Sequence, residues 1–339
     1  MFAIIVSSSR YWFNYRHTSN ALAIYNSLRI RNVSDDHILL FLAEQHACDA
    51  RNSMHAGRIV NGKDQSGRSD LKDSNVLPMD IEIDYSGVEC TQESVLRAIS
   101  GRHYPNTPSY RRLPDSMGPS STLLIYLTGH GGNGFLKFHD FEEMSYPELA
   151  ASLFDARASG RFGRALVIAD TCQAESIGYG IGIQNGKNEE EELMWTTQLI
   201  KIPLFISGIF SEVESQPEGG LFHIPGAVIL SSSVTGQNSY AIQHDDDLGL
   251  SPADGLTHEL YKILLDDVTK GMSRSKRLSH TATILKDLLE LSPKISSTVN
   301  INEKAHIPLY IKEDSSTNAA LDIPLSSYFH FKGKVALMD

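Results

Sequence analysis

The sequence predicts an α/β fold in which an open, mostly parallel central sheet is flanked by helices in three layers. Short unbroken apolar runs rich in Val, Ile and Leu are typical of strands that are buried on both faces of a parallel sheet. Segments with helical patterns lie between these runs, and such alternation indicates βαβ units. The predicted strands cover residues 2–6, 37–43, 122–128, 165–169 and 227–230.

Helices are predicted from the spacing of apolar side chains and from one start signal. Between Ala21 and Leu28, apolar and aromatic residues recur at i, i+3, i+4 and i+7, as they do on one face of a helix. Ser145 and Glu148 form a capping box with a proline in the first turn, which predicts a helix start. Further helices are predicted at residues 256–264 and 281–291.

Composition indicates a globular, acidic chain. Of its 339 residues, 41% are hydrophobic and 21% are charged, and the net charge is −11. This balance argues against disorder and against the basic surface of a nucleic-acid-binding protein. We expect one domain over residues 1–332, with polar insertions near 61–75 and 178–225 and a tail at 333–339. The acidic, glycine-containing stretch at 237–254 is predicted to be a solvated loop.

Targeting signals and cysteines limit the cellular context. The sequence contains no run of about 18 apolar residues, which is the length needed to span a membrane. The chain opens on an apolar run without the basic segment of a signal peptide. Two interpretations follow: a cytosolic protein, or a chain whose targeting segments are missing from this sequence. The three cysteines, Cys48, Cys90 and Cys172, are too few for a disulfide framework.

A histidine and a cysteine follow two of the predicted strands. His130 lies in a Gly-His-Gly-Gly stretch after the strand at 122–128, and Cys172 follows the strand at 165–169. Ligands of open α/β sheets bind outside the carboxyl ends of the strands, so both side chains can face one crevice. There an imidazole can take the proton of a thiol, and glycine N–H groups can approach a substrate carbonyl. A buried, inert cysteine beside a simple glycine turn is the alternative interpretation.

Three strings of the sequence carry a family resemblance. They are Tyr11-Trp-Phe-Asn-Tyr-Arg-His17, Leu127-Thr-Gly-His-Gly-Gly-Asn-Gly-Phe-Leu-Lys-Phe138 and Asp170-Thr-Cys-Gln173. These strings resemble the legumain-like, caspase-fold cysteine proteases, and within that family the catalytic subunits of glycosylphosphatidylinositol (GPI) transamidases. The resemblance implies a caspase-like sheet and a thiol-dependent enzyme that needs no cofactor for catalysis.

The resemblance also implies the role of each catalytic residue. Cys172 is expected to be the nucleophile and His130 the general base and then the general acid. Asn14 is expected to orient the imidazole, as the third member of a catalytic triad does. The N–H group of Gly131, together with that of Cys172, is expected to stabilise the oxyanion.

Further residues are implied in substrate binding. Arg16 matches an arginine that helps to bind the substrate in legumains, whereas Gln173 stands where legumains have an acid. A neutral site suits the small residues at a GPI attachment point, the ω site. Ser231 and Ser232, with Ser233, match the serines of the pocket wall, although a plain polar strand end is an equal alternative for them.

A structural calcium site and a covalent partner are implied as well. Asp35, Glu82 and Asp84, with the carbonyl of Ile38, match a calcium site, and oxygen ligands suit this hard cation. Exposed strand carboxylates are the alternative for Glu82 and Asp84. Cys48 matches a cysteine that is disulfide-bonded to another subunit of a membrane-bound complex.

The implied function is the transfer of proproteins to a GPI lipid. A thioester at Cys172 would replace the C-terminal signal of the proprotein at the ω site, and the ethanolamine amine of the lipid would resolve it. The implied place is the lumenal side of the endoplasmic reticulum membrane, within a complex of subunits and without nucleic acid. A legumain-type asparaginyl endopeptidase and a non-catalytic caspase-fold scaffold are the alternatives.

Overall fold

The computed structural model describes residues 1–61, 76–77, 81–178, 224, 226–242, 244–269, 300–301 and 329. The predicted helix at 281–291, the tail at 333–339 and most of the insertions at 61–75 and 178–225 lie outside the described residues. A single domain over residues 1–332 therefore stays a prediction.

A seven-stranded sheet forms the centre of the described chain. The strands are β1 (Phe2–Ser7), β2 (Ile38–Leu42), β3 (Ile59–Val60), β4 (Val76–Leu77), β5 (Tyr85–Ser86), β6 (Thr122–Thr128), β7 (Gly131–Gly132), β8 (Phe135–Phe138), β9 (Glu142–Ser145), β10 (Arg164–Asp170), β11 (Ala227–Ser231) and β12 (Asn300–Ile301). The strand order in the central sheet is β12-β11-β10-β6-β1-β2-β5, and only β12 pairs antiparallel. This order confirms the predicted open, mostly parallel sheet.

Helices cover both faces of the sheet. The α-helices are α1 (Tyr15–Ile30), α2 (Gln92–Ser100), α3 (Tyr146–Ala158) and α4 (Gly255–Thr269), and short 3-10 helices are Trp12–Asn14, Asp35–His37, Ala50–His55, Gly87–Glu89, Ser109–Arg111 and Ala174–Gly178. α1 and α4 pack together on one face, and α2 and α3 on the other. The three predicted layers are therefore present. None of the helices in the described ranges combines the length and apolar character needed to cross a membrane.

Strand β1 shows why the apolar runs are unbroken. Successive side chains of a strand point to opposite faces, and here both faces are covered by helices. Ile5 is buried in the cluster beneath α1 and α4, whereas Ile4 is buried in the cluster beneath α2 and α3. Each such burial stabilises the fold by roughly 1.5–3 kcal/mol.

The predicted capping box starts α3. The Ser145 hydroxyl accepts a hydrogen bond from the Glu148 N–H group at 3.4 Å, and the Glu148 carboxylate accepts one from the Ser145 N–H group at 2.9 Å. These two bonds satisfy N–H groups that have no partner inside the helix, a contribution of about 1 kcal/mol. The start of α3 was therefore readable from local sequence.

Candidate active site

His130 and Cys172 follow two neighbouring strands at the carboxyl edge of the sheet. β6 and β10 are adjacent and parallel, and Thr128 pairs with Asp170 at their ends. His130 and Cys172 each stand two residues beyond this pair. The hydroxyl of Thr171 donates to the carbonyl of Gly129 at 2.9 Å and joins the two strand ends. The structure thus brings the predicted base and nucleophile to one crevice.

Asn14 reaches this crevice from the segment between β1 and α1. Its side chain is buried, and its Oδ1 lies 2.8 Å from His130 Nε2. The Asn14 Nδ2 group donates to the carbonyl of Arg10 at 2.7 Å, so Oδ1 is the atom that accepts from the histidine. His130 Nε2 therefore carries the proton, and Nδ1 keeps the lone pair that a general base requires.

The surroundings of His130 favour its neutral form. Burial lowers the pKa of His130 below its ordinary value, and the positive charges of Arg16 and Lys137 act in the same direction. The carboxylate of Asp140 opposes them. A neutral imidazole at physiological pH can accept the proton of a thiol, so these charges suit a general base.

Gly131 packs against the turn that carries Cys172. A Cβ atom at Gly131 would lie 2.4 Å from Thr171 Oγ1 and 3.2 Å from the carbonyl oxygen of Cys172. Only glycine allows this approach, because a side-chain carbon would overlap the threonine hydroxyl. The backbone of Gly131 is thus next to the turn of Cys172, the predicted nucleophile. The oxyanion role of its N–H group stays a prediction.

The predicted pocket serines are buried beneath the nucleophile turn. The Ser232 hydroxyl accepts from the N–H group of Thr171 at 3.2 Å. The Ser233 hydroxyl donates to the carbonyl of Thr171 at 2.9 Å and accepts from the N–H group of Ala174 at 3.1 Å. These bonds hold the turn around Cys172, and a substrate contact of Ser231 or Ser232 stays a prediction.

Gln173 connects the nucleophile turn to the loop after β11. Its backbone has a left-handed conformation with φ of 55°, and its N–H group donates to the carbonyl of Gln237 at 2.8 Å. Its side-chain Oε1 accepts from the N–H group of Gly236 at 3.2 Å. The described bonds of Gln173 therefore support the turn, and its predicted role in substrate binding is untested by them.

Arg16 binds an acidic residue that the sequence interpretation missed. The Arg16 Nε donates to Asp254 Oδ1 at 3.1 Å, and Asn20 Nδ2 donates to Asp254 Oδ2 at 2.7 Å. Asp254 is only 4% exposed, so the prediction of a solvated loop at 237–254 is wrong at this residue. The reason is that Asp254 directly precedes α4, and the packing of α4 on α1 buries its carboxylate.

A second buried carboxylate lies behind the nucleophile. Asp170 accepts hydrogen bonds from the N–H group of Thr257 and from the Ser239 hydroxyl, both at 3.1 Å. Burial raises the pKa of Asp170. Burial also raises the pKa of Asp254, and the charge of Asp170 adds to this effect whereas Arg16 opposes it. The position of Asp170 at a strand end, two residues before Cys172, was a signal available in the sequence.

His17 is a further residue that the sequence interpretation did not assign. Its ring stands edge-on to that of His130, with the centroids 5.2 Å apart and an interplanar angle of 87°. Burial lowers the pKa of His17 well below its ordinary value, and the charge of Arg16 lowers it further. His17 is therefore a neutral packing partner of the His130 imidazole. The signal available in the sequence is the position of His17 directly after Arg16, on the first turn of α1.

The predicted calcium ligands lie close enough to influence one another. Burial raises the pKa of Asp84 to about 7, and the charges of Glu82 and Asp35 contribute. Asp35 accepts a hydrogen bond from the Tyr25 hydroxyl at 2.6 Å, and Asp84 accepts one from a β2 N–H group at 2.8 Å. Among the residues that the structure describes, no three His, Cys, Asp or Glu side chains are arranged to hold a metal ion. Calcium binding stays a prediction.

The two other cysteines differ sharply in accessibility. Cys48 is exposed and Cys90 is buried, and neither forms a disulfide with the chain. Burial strongly raises the pKa of the Cys90 thiol, which keeps it protonated and unreactive. Cys48 is thus the accessible thiol outside the catalytic crevice.

The fold and the site together define an enzyme of the cysteine-peptidase type. The sequence pattern of the Peptidase C13 family matches residues 1–186, which is more than half of the chain. The chain belongs to the Peptidase C13 family, and the predicted family is confirmed.

Several relatives of the chain are named GPI-anchor transamidases. The putative GPI-anchor transamidase of Caenorhabditis elegans is 31% identical over 311 residues, which cover 91% of this chain and 79% of that protein. The GPI-anchor transamidases of Mus musculus and Schizosaccharomyces pombe are 42% and 39% identical over 175 residues, which is 52% of this chain. These two matches span 42% and 43% of the relatives' own lengths.

One solved structure with a partial likeness is caspase-1 from Spodoptera frugiperda. It is 12% identical, and the match covers 89% of this chain and 85% of the caspase with a TM-score of 0.37. A likeness of this size carries no argument about function, so the assignment of the fold rests on the strand order described above.

Proposed function

We propose that this chain is the catalytic subunit of a GPI transamidase, which replaces the C-terminal signal of a proprotein by a GPI lipid. The relatives named GPI-anchor transamidase support the choice of reaction. The observation that carries the proposal is the pairing of β6 with β10, which aligns His130 with Cys172 while Asn14 holds His130 Nε2.

The first half of the proposed reaction forms a thioester. His130 Nδ1 takes the proton of the Cys172 thiol, and the sulfur bonds to the carbonyl carbon of the ω residue. The N–H groups of Gly131 and Cys172 stabilise the negative oxygen. When the C–N bond breaks, the imidazolium returns its proton to the leaving amine, and the signal peptide departs.

The second half exchanges the thioester for a new amide. The ethanolamine amine of the lipid attacks the thioester carbonyl, and His130 accepts the proton that the nitrogen loses. The C–S bond then breaks, and the sulfur leaves as a thiolate that His130 reprotonates. One amide replaces another, so the reaction needs no nucleotide.

A paired charge near His130 suits recognition of the ω residue. Arg16, whose charge acts on His130, forms a part-buried ion pair with Asp254 at an Nε–Oδ1 distance of 3.1 Å. Charges that are already paired leave hydrogen-bonding atoms but little net charge. Such surroundings support a small, uncharged ω residue, which is the preference that the sequence interpretation expected.

The test of the reaction is the mass of its product. The complex purified from its host is incubated with a signal-bearing peptide, with and without hydrazine as the amine. We expect the acyl hydrazide of the shortened peptide in the presence of hydrazine. Cys172→Ala should give no product although it folds, because a methyl group in place of a thiol leaves only a small void. Cys90→Ala is the matched control and should retain activity.

The same experiment separates the alternatives. A legumain-type endopeptidase would give the free acid at an undiminished rate whether or not hydrazine is present. A scaffold would give neither product with the folded wild-type chain. Cysteine-dependent product that forms only in the presence of hydrazine therefore distinguishes a transamidase from both.

The proposal extends to the cellular setting. The exposed, unpaired Cys48 supports a disulfide to another subunit, which requires an oxidising compartment such as the lumen of the endoplasmic reticulum. The lipid substrate places the complex at the membrane of that compartment. The charges of Glu82 and Asp35, which add to the effect of burial on the pKa of Asp84, support a structural calcium ion that takes no part in the chemistry.

A further inference from the structure

Two large aromatic side chains project from the segment that positions the catalytic histidine. Tyr11 is 52% exposed and Phe13 is 61% exposed, and their rings stack with centroids 5.9 Å apart. Phe13 directly precedes Asn14, whose side chain binds His130. The exposed pair therefore belongs to the same short segment as the residue that binds His130.

The backbone at Tyr11 is strained. Its φ of 72° lies in the region that favours glycine, and a residue with a large side chain reaches it at a cost of roughly 1–3 kcal/mol. Burial of the tyrosine ring does not offset this cost, because half of the side chain is exposed. Strained residues of this kind occur where a segment is held in place for binding or catalysis.

Hydrogen bonds to Asn14 hold the strained segment. The N–H group of Asn14 donates to the carbonyl of Tyr11 at 2.9 Å, and Asn14 Nδ2 donates to the carbonyl of Arg10 at 2.7 Å. The carbonyl of Phe13 accepts from Arg16 Nη1 at 3.1 Å. The residues that bind His130 and Asp254 thus also hold the backbone from which both aromatic rings project.

The positive charge of Arg10, next to the aromatic pair, is already matched by a carboxylate. Arg10 lies over the Tyr11 ring, with its guanidinium carbon 5.8 Å from the centroid, and its Nε is 3.6 Å from the Glu44 carboxylate. What the pair offers to a ligand is therefore apolar aromatic surface, which gains most from contact with a hydrophobic side chain.

We propose that Tyr11 and Phe13 form an apolar wall of the active site that receives a hydrophobic side chain of the substrate polypeptide, next to the bond that Cys172 attacks. The wall adjoins the proposed catalytic site, because Phe13 directly precedes Asn14 and Asn14 binds His130. The substrate that enters this site is therefore the occupant that we assign to the wall. This proposal depends on the proposed function in one respect: the substrate must be a polypeptide.

The test uses covalent labelling of Cys172 in the full chain carrying Cys48→Ser, so that the exposed thiol of Cys48 does not react with the probes. Two peptidyl vinyl sulfones of equal length both have Ser at the ω position and carry either Leu or Ser at the position before it, and iodoacetamide reports the thiol alone. This parent chain should prefer the Leu probe by about tenfold, the range expected of one apolar subsite. Phe13→Ala and Tyr11→Gly should abolish the preference, whereas Phe13→Tyr should keep it.

Two controls separate recognition from stability. Tyr110 is 61% exposed, as Phe13 is, but lies in the 3-10 helix at Ser109–Arg111, near the edge strand β5, so Tyr110→Ala should keep the preference. Tyr11→Gly should leave the melting temperature unchanged or raise it, since glycine adopts the observed φ freely. A fall in melting temperature with an unchanged preference would assign Tyr11 a structural role only.

Other outcomes overturn the wall as well. Equal Leu and Ser labelling in the parent chain, or an unchanged preference in both variants, contradicts it while leaving the proposed transamidation intact. If both substitutions instead release the chain from phosphatidylcholine vesicles at an unchanged preference, the pair is a membrane contact. A chain that iodoacetamide labels but no peptide probe labels contradicts the wall and the proposed function together, and the hydrazine experiment then also fails.

Discussion

Asn14 is the residue that joins the segment after β1 to His130, the proposed general base. Asn14→Ala removes the acceptor for His130 Nε2 and the bond to Arg10, so the imidazole loses its orientation. We expect kcat to fall by about 10²- to 10⁴-fold, the range typical of a lost general base or its orienting partner. Steady-state kinetics on a signal-bearing peptide measures this loss.

Asn14→Asp tests the same role by charge. An aspartate still accepts from His130 Nε2, but its negative charge stabilises the imidazolium and raises the pKa of His130. Activity requires the neutral imidazole, so the acid limb of the pH profile should move to higher pH. A profile that falls in height without shifting would mean that Asn14 acts on the fold and not on His130.

Asp84 couples stability to pH. Burial raises its pKa from 3.8 to about 7, so between these values the folded protein holds a proton that the unfolded chain has released. The stabilisation from this proton is complete below pH 3.8 and is lost as the pH rises to about 7. Its slope is at most about 1.4 kcal/mol per pH unit. Asp84→Asn should remove this slope in urea unfolding, whereas exposed Asp36→Asn should keep it.

If Asp84 is a ligand, calcium should reverse this pH dependence and stabilise the protein more at high pH than at low pH. The ion binds only the deprotonated carboxylate of the folded chain, so added calcium should raise the melting temperature more above pH 7 than near pH 5. Asp84→Asn should lose much of this gain. An equal calcium effect in wild type and variant would place the ion elsewhere.

At the scale of elements, β7 depends on a close approach to the nucleophile turn. In Gly131→Ala the new methyl group would meet Thr171 Oγ1 at 2.4 Å and force the turn to move. We expect a loss of about 1–3 kcal/mol in the free energy of unfolding, together with a large loss of activity. Chemical denaturation and peptide turnover measure the two effects.

A second substitution identifies the cause of that loss. Thr171→Ala removes the hydroxyl, so Gly131→Ala combined with Thr171→Ala should be less destabilised than the sum of the single variants. Gly118→Ala is the matched control, because a Cβ there meets nothing within 4 Å. If Gly118→Ala is as harmful as Gly131→Ala, the close approach is not the cause.

At the scale of the whole molecule, Cys48 decides whether the chain has a covalent partner. Material from the native host should migrate as a heavy band on a non-reducing gel and as the single chain after reduction. Cys48→Ser should remove the heavy band and leave much of the activity, since the thiol is exposed and is not part of the crevice. A band that survives Cys48→Ser but disappears in Cys90→Ser would contradict this assignment.

Local patterns in the sequence were sufficient for the elements and for part of the site. The apolar runs predicted the central strands because a strand covered on both faces needs an unbroken hydrophobic segment. The capping box predicted the start of α3 because its bonds join residues only three positions apart. His130 and Cys172 were identifiable because each directly follows such a run, and the resemblance of the motifs predicted the confirmed family.

Contacts between distant segments could not be predicted in the same way. Asp254 looked like part of a solvated acidic loop, yet it is buried against Arg16, which is 238 positions away in the chain. His17 and Asp170 gained their roles only when α1, α4 and the sheet packed together. The local sequence shows which residues are charged, but it does not show which of them are buried away from solvent. That depends on the helix that covers them, and the burial of paired charges behind the catalytic crevice is therefore a property of the packing of the chain.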